Sequence, residues 1–264
     1  MMQLKLVPAR TGIYWVKRGM LTFASQPLAM TGLFVMWIAF MSVTSVLPVV
    51  GLPLALTLLP AATLGLMAAT REATMGQFPK PAFLICAFRS GRRTARAMLA
   101  LGVLYCAGFM GIMAVTWLVD GGGFASVYLG NRSDTPPPLL QSSQFQSALW
   151  VFIGLHLPLS LTFWHAPALV YWHGITPVKS LFFSAVACWR NLAALTVFGA
   201  VWMGIMVLVA LVVVTIATWL GHPGLAFSLV TAALLVVVSM FFTSLYFTFK
   251  DSLSDDALSI VSIT

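Results

Sequence analysis

The sequence predicts an all-α polytopic membrane protein: six transmembrane helices in three hairpins, each hairpin preceded by an interfacial amphipathic helix. Composition points there first. Of 264 residues, 60% are hydrophobic and only 8% charged, whereas soluble domains carry roughly 25% charge. Charge placement points there next, because no Asp, Glu, Lys or Arg occurs in 19–70, 97–119, 135–178 or 191–249. A span needs about 20 apolar residues, so these stretches of 52, 23, 44 and 59 residues hold six. The third observation is a recurring cationic stretch ahead of each pair of spans.

In chain order, Thr11 to Phe23 sets Ile13, Val16, Met20 and Phe23 at helical spacing with Lys17 and Arg18 between them. It is too short to cross and suits the headgroup plane. Spans are expected at 28–47 and 49–70, with Pro48 forcing a tight antiparallel turn. Pro81 to Arg96 forms the second interfacial segment and, if helical, gathers Arg89, Arg92, Arg93 and Arg96 within about 100° of arc. A span at 97–119 leads to a loop, 120–145, whose Gly121-Gly122-Gly123 and Pro136-Pro137-Pro138 favour turns and extended chain. The sequon Asn131-Arg132-Ser133 falls in this loop, a match common by chance. The fourth span, 146–171, is followed by Thr176-Pro177, which starts a third interfacial helix with Phe182, Phe183, Val186 and Trp189 on its apolar side. Spans at 193–219 and 225–249 flank Gly221-His222-Pro223-Gly224. Pro60-Ala61 and Pro167-Ala168 repeat in the second and fourth spans, with no counterpart in the sixth. Residues 1–250 read as one membrane domain and 251–264 as a short tail.

The net charge of +8 sits at the ends of apolar segments, where it answers lipid headgroups rather than nucleic acid. With the N-terminus inside, 13 of the 14 Lys and Arg are cytoplasmic, leaving only Arg132 outside. Both termini are therefore expected in the cytoplasm. Cys86, Cys106 and Cys188 are an odd set without C-x-x-C spacing, so no disulfide framework is expected. Four cations spread through the first 27 residues, without a short apolar core before a cleavage site, argue that the first span is retained.

Chemistry-bearing residues are few. His156, His165 and His173 lie on or beside the fourth span with Trp164. One straight helix cannot aim all three imidazoles at one metal. His156, His165 and Trp164 stay open as a ligand or cofactor set for haem or copper. Alternatively, the imidazoles bond carbonyls freed by the prolines. Met110 with Met113, and Met203 with Met206, have the i, i+3 spacing of soft Cu(I) ligands, which also suits plain packing. Glu72 is the single glutamate and lies outside any H-E-x-x-H, and no phosphate loop or G-x-S-x-G elbow occurs. No catalytic or metal residue is named, and no cofactor is required. Arg89, Arg92, Arg93, Arg96, Lys179, Arg190 and Asn191 stand at helix starts, where backbone N–H groups and guanidinium forks suit lipid phosphate.

The run Trp164-His165-Ala166-Pro167-Ala168-Leu169-Val170, then Thr176-Pro177-Val178-Lys179-Ser180, Ser184 and Arg190-Asn191, resembles a signature of an uncharacterised six-helix inner-membrane family of proteobacteria. That family is similar to the membrane region attached to some glycerophosphodiester phosphodiesterases. The resemblance covers about 30 residues closely. Ser180 and His165 depart from its usual alanine and apolar residue. It implies a Gram-negative inner membrane and a lipid-related task, and supplies no activity.

The expected function is non-enzymatic binding of lipids or membrane-protein partners, as an accessory or structural subunit. Its partners would be membrane lipids and a homo-oligomer or larger membrane complex, but not nucleic acid. Gly65, Gly102, Gly108, Gly111, Gly199 and Gly204 would permit close helix contacts. A channel or permease for a small neutral or lipidic solute, with a polar path through Thr57, Thr63, Ser160, Thr162 and Ser244, is the alternative, and a haem- or copper-binding subunit is the third reading.

Overall fold

The computed structural model describes residues 2–130, 140–221 and 223–255. The order is β1 (Met2–Leu4), α1 (Thr11–Ser25), α2 (Pro27–Ser45), α3 (Gly51–Thr74), a 3-10 turn (Pro81–Ile85), α4 (Cys86–Arg89), α5 (Arg92–Asp120), α6 (Gly123–Tyr128), α7 (Ser143–Trp164), α8 (Ala166–His173), α9 (Pro177–Arg190), α10 (Leu192–Trp219), α11 (Ala226–Ser252) and β2 (Leu253–Asp255). Six spans are long and apolar enough to cross a bilayer: α2, α3, α5, the broken span Ser143–His173 made by α7 and α8, α10 and α11. The chain is thus an all-α polytopic membrane protein. Asn131-Arg132-Ser133, Pro136 to Pro138, His222 and residues 256–264 lie outside the described residues.

Boundaries follow local chemistry. Pro27 opens α2 at its first turn, and the chain reverses between α2 and α3 through Val49, whose φ is 64°. Asp120 ends α5 by accepting from the backbone N–H groups of Gly122 and Phe124, so the far connection begins with a capped turn and α6. The stretch 81–96 does not form one helix. Ser90 donates back to the carbonyl of Cys86, and Gly91, at φ 107°, breaks the chain before α5 starts at Arg92. Arg89 therefore belongs to α4, whereas Arg92, Arg93 and Arg96 belong to the first turns of α5. The 100° arc of four arginines is replaced by a cluster of three, with Arg89 on a separate helix.

The three units repeat in packing as well as in order. The 3-10 turn lies against α3, and α9 lies against α7 and α8; each thus rests on the second span of the preceding hairpin. α1 closes the cycle by packing on α11 and α10 of the third hairpin rather than on α2. Close approach makes this possible: a Cβ on Gly19 would strike Ser244, and one on Gly102 would strike the Thr57 carbonyl. Gly65 meets the 3-10 turn in the same way, and Gly108 touches Leu159, whereas Gly111, Gly199 and Gly204 face open space.

The first and last described segments meet at one end, where β1 pairs antiparallel with β2, Gln3 opposite Ser254. That end also holds the interfacial segments and most of the cations; it is called the cationic end below. There Asp251 on α11 accepts from Trp15 Nε1 (2.9 Å) and from Arg18 (2.9 Å), and the Arg18 guanidinium lies 4.3 Å from the Phe247 ring centre. The buried face of α1 is Gly12, Trp15, Val16, Gly19 and Phe23. Ile13 and Met20, expected on the apolar side with Val16 and Phe23, are exposed. The docked side combines Trp15, Val16 and Phe23 with two glycines that let the backbone approach.

Candidate functional site

The cations first read as lipid-phosphate ligands all lie at the cationic end. Arg89, Arg92, Arg93, Arg96, Lys179 and Arg190 are exposed. One of them, Arg93, lines a cleft of about 90 Å³ with Thr94 and Ala97 of α5, Val170 and Gly174, and Ile175, Thr176 and Pro177 before and at the start of α9. Its lining is mainly apolar, with Arg93, Thr94 and Thr176 as the residues that carry polar side chains. Gly174, at φ 62°, ends α8 and reverses the chain so that α9 begins beside the first turns of α5. Neither helix start is closed by a side chain. Gly91 has none, and Thr176 makes no capping hydrogen bond. The start of α5, with Arg93 and Thr94, thus lies beside the start of α9, whose first residue Pro177 has no N–H to offer.

Lys179 lies on the first turn of α9. Arg190 stands at the other end of that 14-residue helix, about 17 Å away at 1.5 Å per residue. Asn191 is almost wholly buried, and its amide holds the N-terminal segment: Oδ1 accepts from Val7 N at 2.9 Å and Nδ2 donates to the Lys5 carbonyl at 2.9 Å. Of the seven residues, Arg93 alone lines the cleft, Asn191 is a backbone clamp, and Arg89, Arg92, Arg96, Lys179 and Arg190 are separate exposed arms.

α9 itself has two faces of opposite kind. Ser180, Ser184, Ala187 and Cys188 are buried against the protein, while Val178, Phe182 and Trp189 are 72, 65 and 73% exposed. A helix with one buried face and one exposed aromatic face of this kind suits the plane of a membrane interface.

The histidines do not assemble. His156 stacks on Phe152 (centroids 4.9 Å, 11°) and meets Phe109 edge-on, inside an aromatic cluster with Tyr128. His165 is 1% exposed at the break between α7 and α8, 5.8 Å from the Phe249 ring. Trp164 donates to Thr248 Oγ1 at 3.1 Å, tying the fourth span to α11. Among the described residues no three His, Cys, Asp or Glu side chains come together as metal ligands. Neither His156 Nδ1 nor His165 Nδ1 has a hydrogen-bond partner, so these atoms do not bond a proline-freed carbonyl. A serine supplies the repair instead. Ser184 Oγ accepts from His165 N (2.9 Å) and donates to the Leu161 carbonyl (3.0 Å), standing between an i, i+4 pair that a regular helix would join directly. Sequence reading placed Ser184 in the signature and gave it no role, because its partners lie 19 and 23 residues away.

Burial pushes the Cys188 thiol up to about 12 and raises that of Cys86, partly offset by a hydrogen bond with Tyr171. Both stay protonated near neutral pH and are poor nucleophiles. Burial also raises the Tyr128 phenol. Thr57, Thr63, Thr162 and Ser244 turn their hydroxyls onto carbonyls of their own helices, and Ser244 also accepts from Trp202 Nε1. Such hydroxyls are satisfied locally rather than aligned as a path.

Comparison with known proteins gives a relative. A probable inner membrane protein of Burkholderia thailandensis is 36% identical over 251 residues, covering 94% of this chain and 93% of that one. No protein-family model matches. No solved structure matches.

Proposed function

The chain belongs to the family of the Burkholderia thailandensis inner membrane protein, and on that premise we propose that it is a non-catalytic subunit that binds anionic phospholipid through its cationic end. The location is the bacterial inner membrane, and the proposed orientation puts that end, with both termini, in the cytoplasm. The observation that carries the reading is the Arg93 cleft, where the uncapped starts of α5 and α9 converge. Thirteen of the 14 Lys and Arg on one side would add a diffuse attraction to the anionic leaflet. The resemblance to the membrane region attached to some glycerophosphodiester phosphodiesterases fits a lipid-related task. Membrane-protein partners, including further copies, would dock on the apolar flanks of the spans.

Physically, the cleft would hold one phosphate group while the acyl chains stay in the leaflet beside α9. The aromatic face of α9 would keep that helix at headgroup depth. Lys179 and Arg190 would recruit neighbouring headgroups without entering the cleft. Native mass spectrometry of the protein with phosphatidylglycerol and phosphatidylethanolamine tests this directly. Arg93→Gln is expected to lower phosphatidylglycerol affinity about fivefold, the equivalent of about 1 kcal/mol per surface cation, with phosphatidylethanolamine unchanged. Equal affinity of wild type for both lipids, or movement of a defined solute by the purified protein in liposomes, would reject the reading.

A further inference from the structure

We propose that α9 couples headgroup binding to the bend of the fourth span, with the Ser184 hydroxyl as the connecting part. This rests on the lipid reading above and adds a consequence to it. The stitch joins two elements that respond to different surroundings. One is the break between α7 and α8, where Pro167 supplies no N–H and the Leu161–His165 pair is held open. The other is an in-plane helix whose outer face meets lipid and whose inner face carries the serine.

The arrangement has two states because the His165 N–H, the Leu161 carbonyl and the Ser184 hydroxyl each have a partner in either one. With α9 seated, Ser184 Oγ satisfies both His165 N and the Leu161 carbonyl. With α9 drawn outward toward phosphate, Leu161 and His165 can close the ordinary i, i+4 bond. The Ser184 hydroxyl can then turn onto a carbonyl one turn back on its own helix. Ser180, on the same buried face, already holds that second state, donating to the Pro177 carbonyl at 2.7 Å. Hydrogen bonds of 2.9 and 3.0 Å do not survive a displacement of about 1 Å. A small outward shift of α9 therefore exchanges one set of bonds for the other, which is the property of a two-state element. Pro167 keeps a residual kink throughout, since its ring excludes a regular turn at Phe163. The change is one of bend, not of helix content.

Elsewhere in the chain the interfacial segments are differently placed. α1 is pinned to α11 through Trp15, Arg18 and Asp251, a charged clamp with no hydroxyl inserted in a helix ladder. The 3-10 turn meets α3 by backbone contact at Gly65. Among the described residues, only α9 reaches into the hydrogen-bond ladder of a span.

The test is a distance measurement by double electron–electron resonance. Genetically encoded spin labels replace the exposed residues Ser147, near the far end of α7, and Gly199, on α10, leaving the native cysteines in place. The protein is reconstituted in phosphatidylcholine vesicles with and without 30% phosphatidylglycerol, and lipid association is measured on the same samples. Over the 22 residues of α7, about 33 Å at 1.5 Å per residue, a change in bend of about 10° moves its far end by about 6 Å. Wild type is expected to shift its distance distribution by several ångström when phosphatidylglycerol is added. Ser184→Ala is expected to associate with that lipid equally and to lose the shift. Preferential lipid association with an unchanged distance in wild type would overturn the coupling and leave the lipid reading standing. A shift that persists in Ser184→Ala would overturn the role of the serine. Absence of preferential association would remove the lipid reading, and the proposal with it.

Discussion

α3 and α10 are both uninterrupted apolar spans, yet they stand in opposite surroundings. The most apolar 18-residue stretch of α3 has a mean hydropathy of 1.8 and is 61% buried in the protein; that of α10 has 2.8 and is 11% buried. The more apolar helix is the one left to lipid. In water the order would be reversed, but lipid tails solvate leucine and valine as well as a protein interior does. Close backbone approach then decides which helix is central. α3 buries Ala61, Ala62, Gly65, Ala68, Ala69 and Thr70, all small, and α5, α11 and the 3-10 turn come close to it. α10 between Met203 and Trp219 offers mainly branched side chains and leaves Val207, Leu208, Leu211 and Ile216 bare.

The contrast can be broken at Gly102, where α5 crosses α3 with its Cα against the Thr57 carbonyl. Gly102→Leu is expected to destabilise the fold by about 3 kcal/mol, the upper range for overpacking, measured by reversible denaturant unfolding in detergent. Next in size is the charged clamp at the cationic end. Asp251→Ala removes the acceptor shared by Trp15 and Arg18 and is expected to lose about 2 kcal/mol, typical of hydrogen bonds to a charged group. The same variant should speed proteolysis of the N-terminal segment if α1 is held chiefly by this clamp. Smallest is Gly204→Leu on α10, where a Cβ meets nothing within 4 Å. Its expected effect is within about 0.5 kcal/mol, as at an ordinary surface site. A Gly204→Leu loss as large as that of Gly102→Leu would mean that α10 is packed against a further copy or partner.

How much of this was legible follows from the same contrast. The spans could be placed within a few residues because a bilayer dictates length and excludes charge, and Pro27, Gly91 and Asp120 mark their ends chemically. Helix faces were harder to read. Ile13 and Met20 share the apolarity of Val16 and Phe23, and only the docking of Gly12 and Gly19 on α10 and α11 separates them. At the candidate site, the cations were visible as residues but not as a group. Arg93 meets Thr176 because Gly174 reverses the chain, and Asn191 leaves the group because its amide serves Lys5 and Val7. Proline explained a bend in the fourth span, but not the hydroxyl that holds the bend open from another helix. Contacts spanning tens of residues leave no periodic trace in the chain.

The central claim is selective attraction of anionic phospholipid to one end of the molecule. Electron spin resonance of spin-labelled phosphatidylglycerol and phosphatidylethanolamine around the reconstituted protein measures it most directly, as the ratio of their motionally restricted fractions. The account predicts a ratio well above one at low salt that falls toward one as salt is raised, because the cations at this end are exposed and screened. A ratio of one at every salt concentration would contradict it.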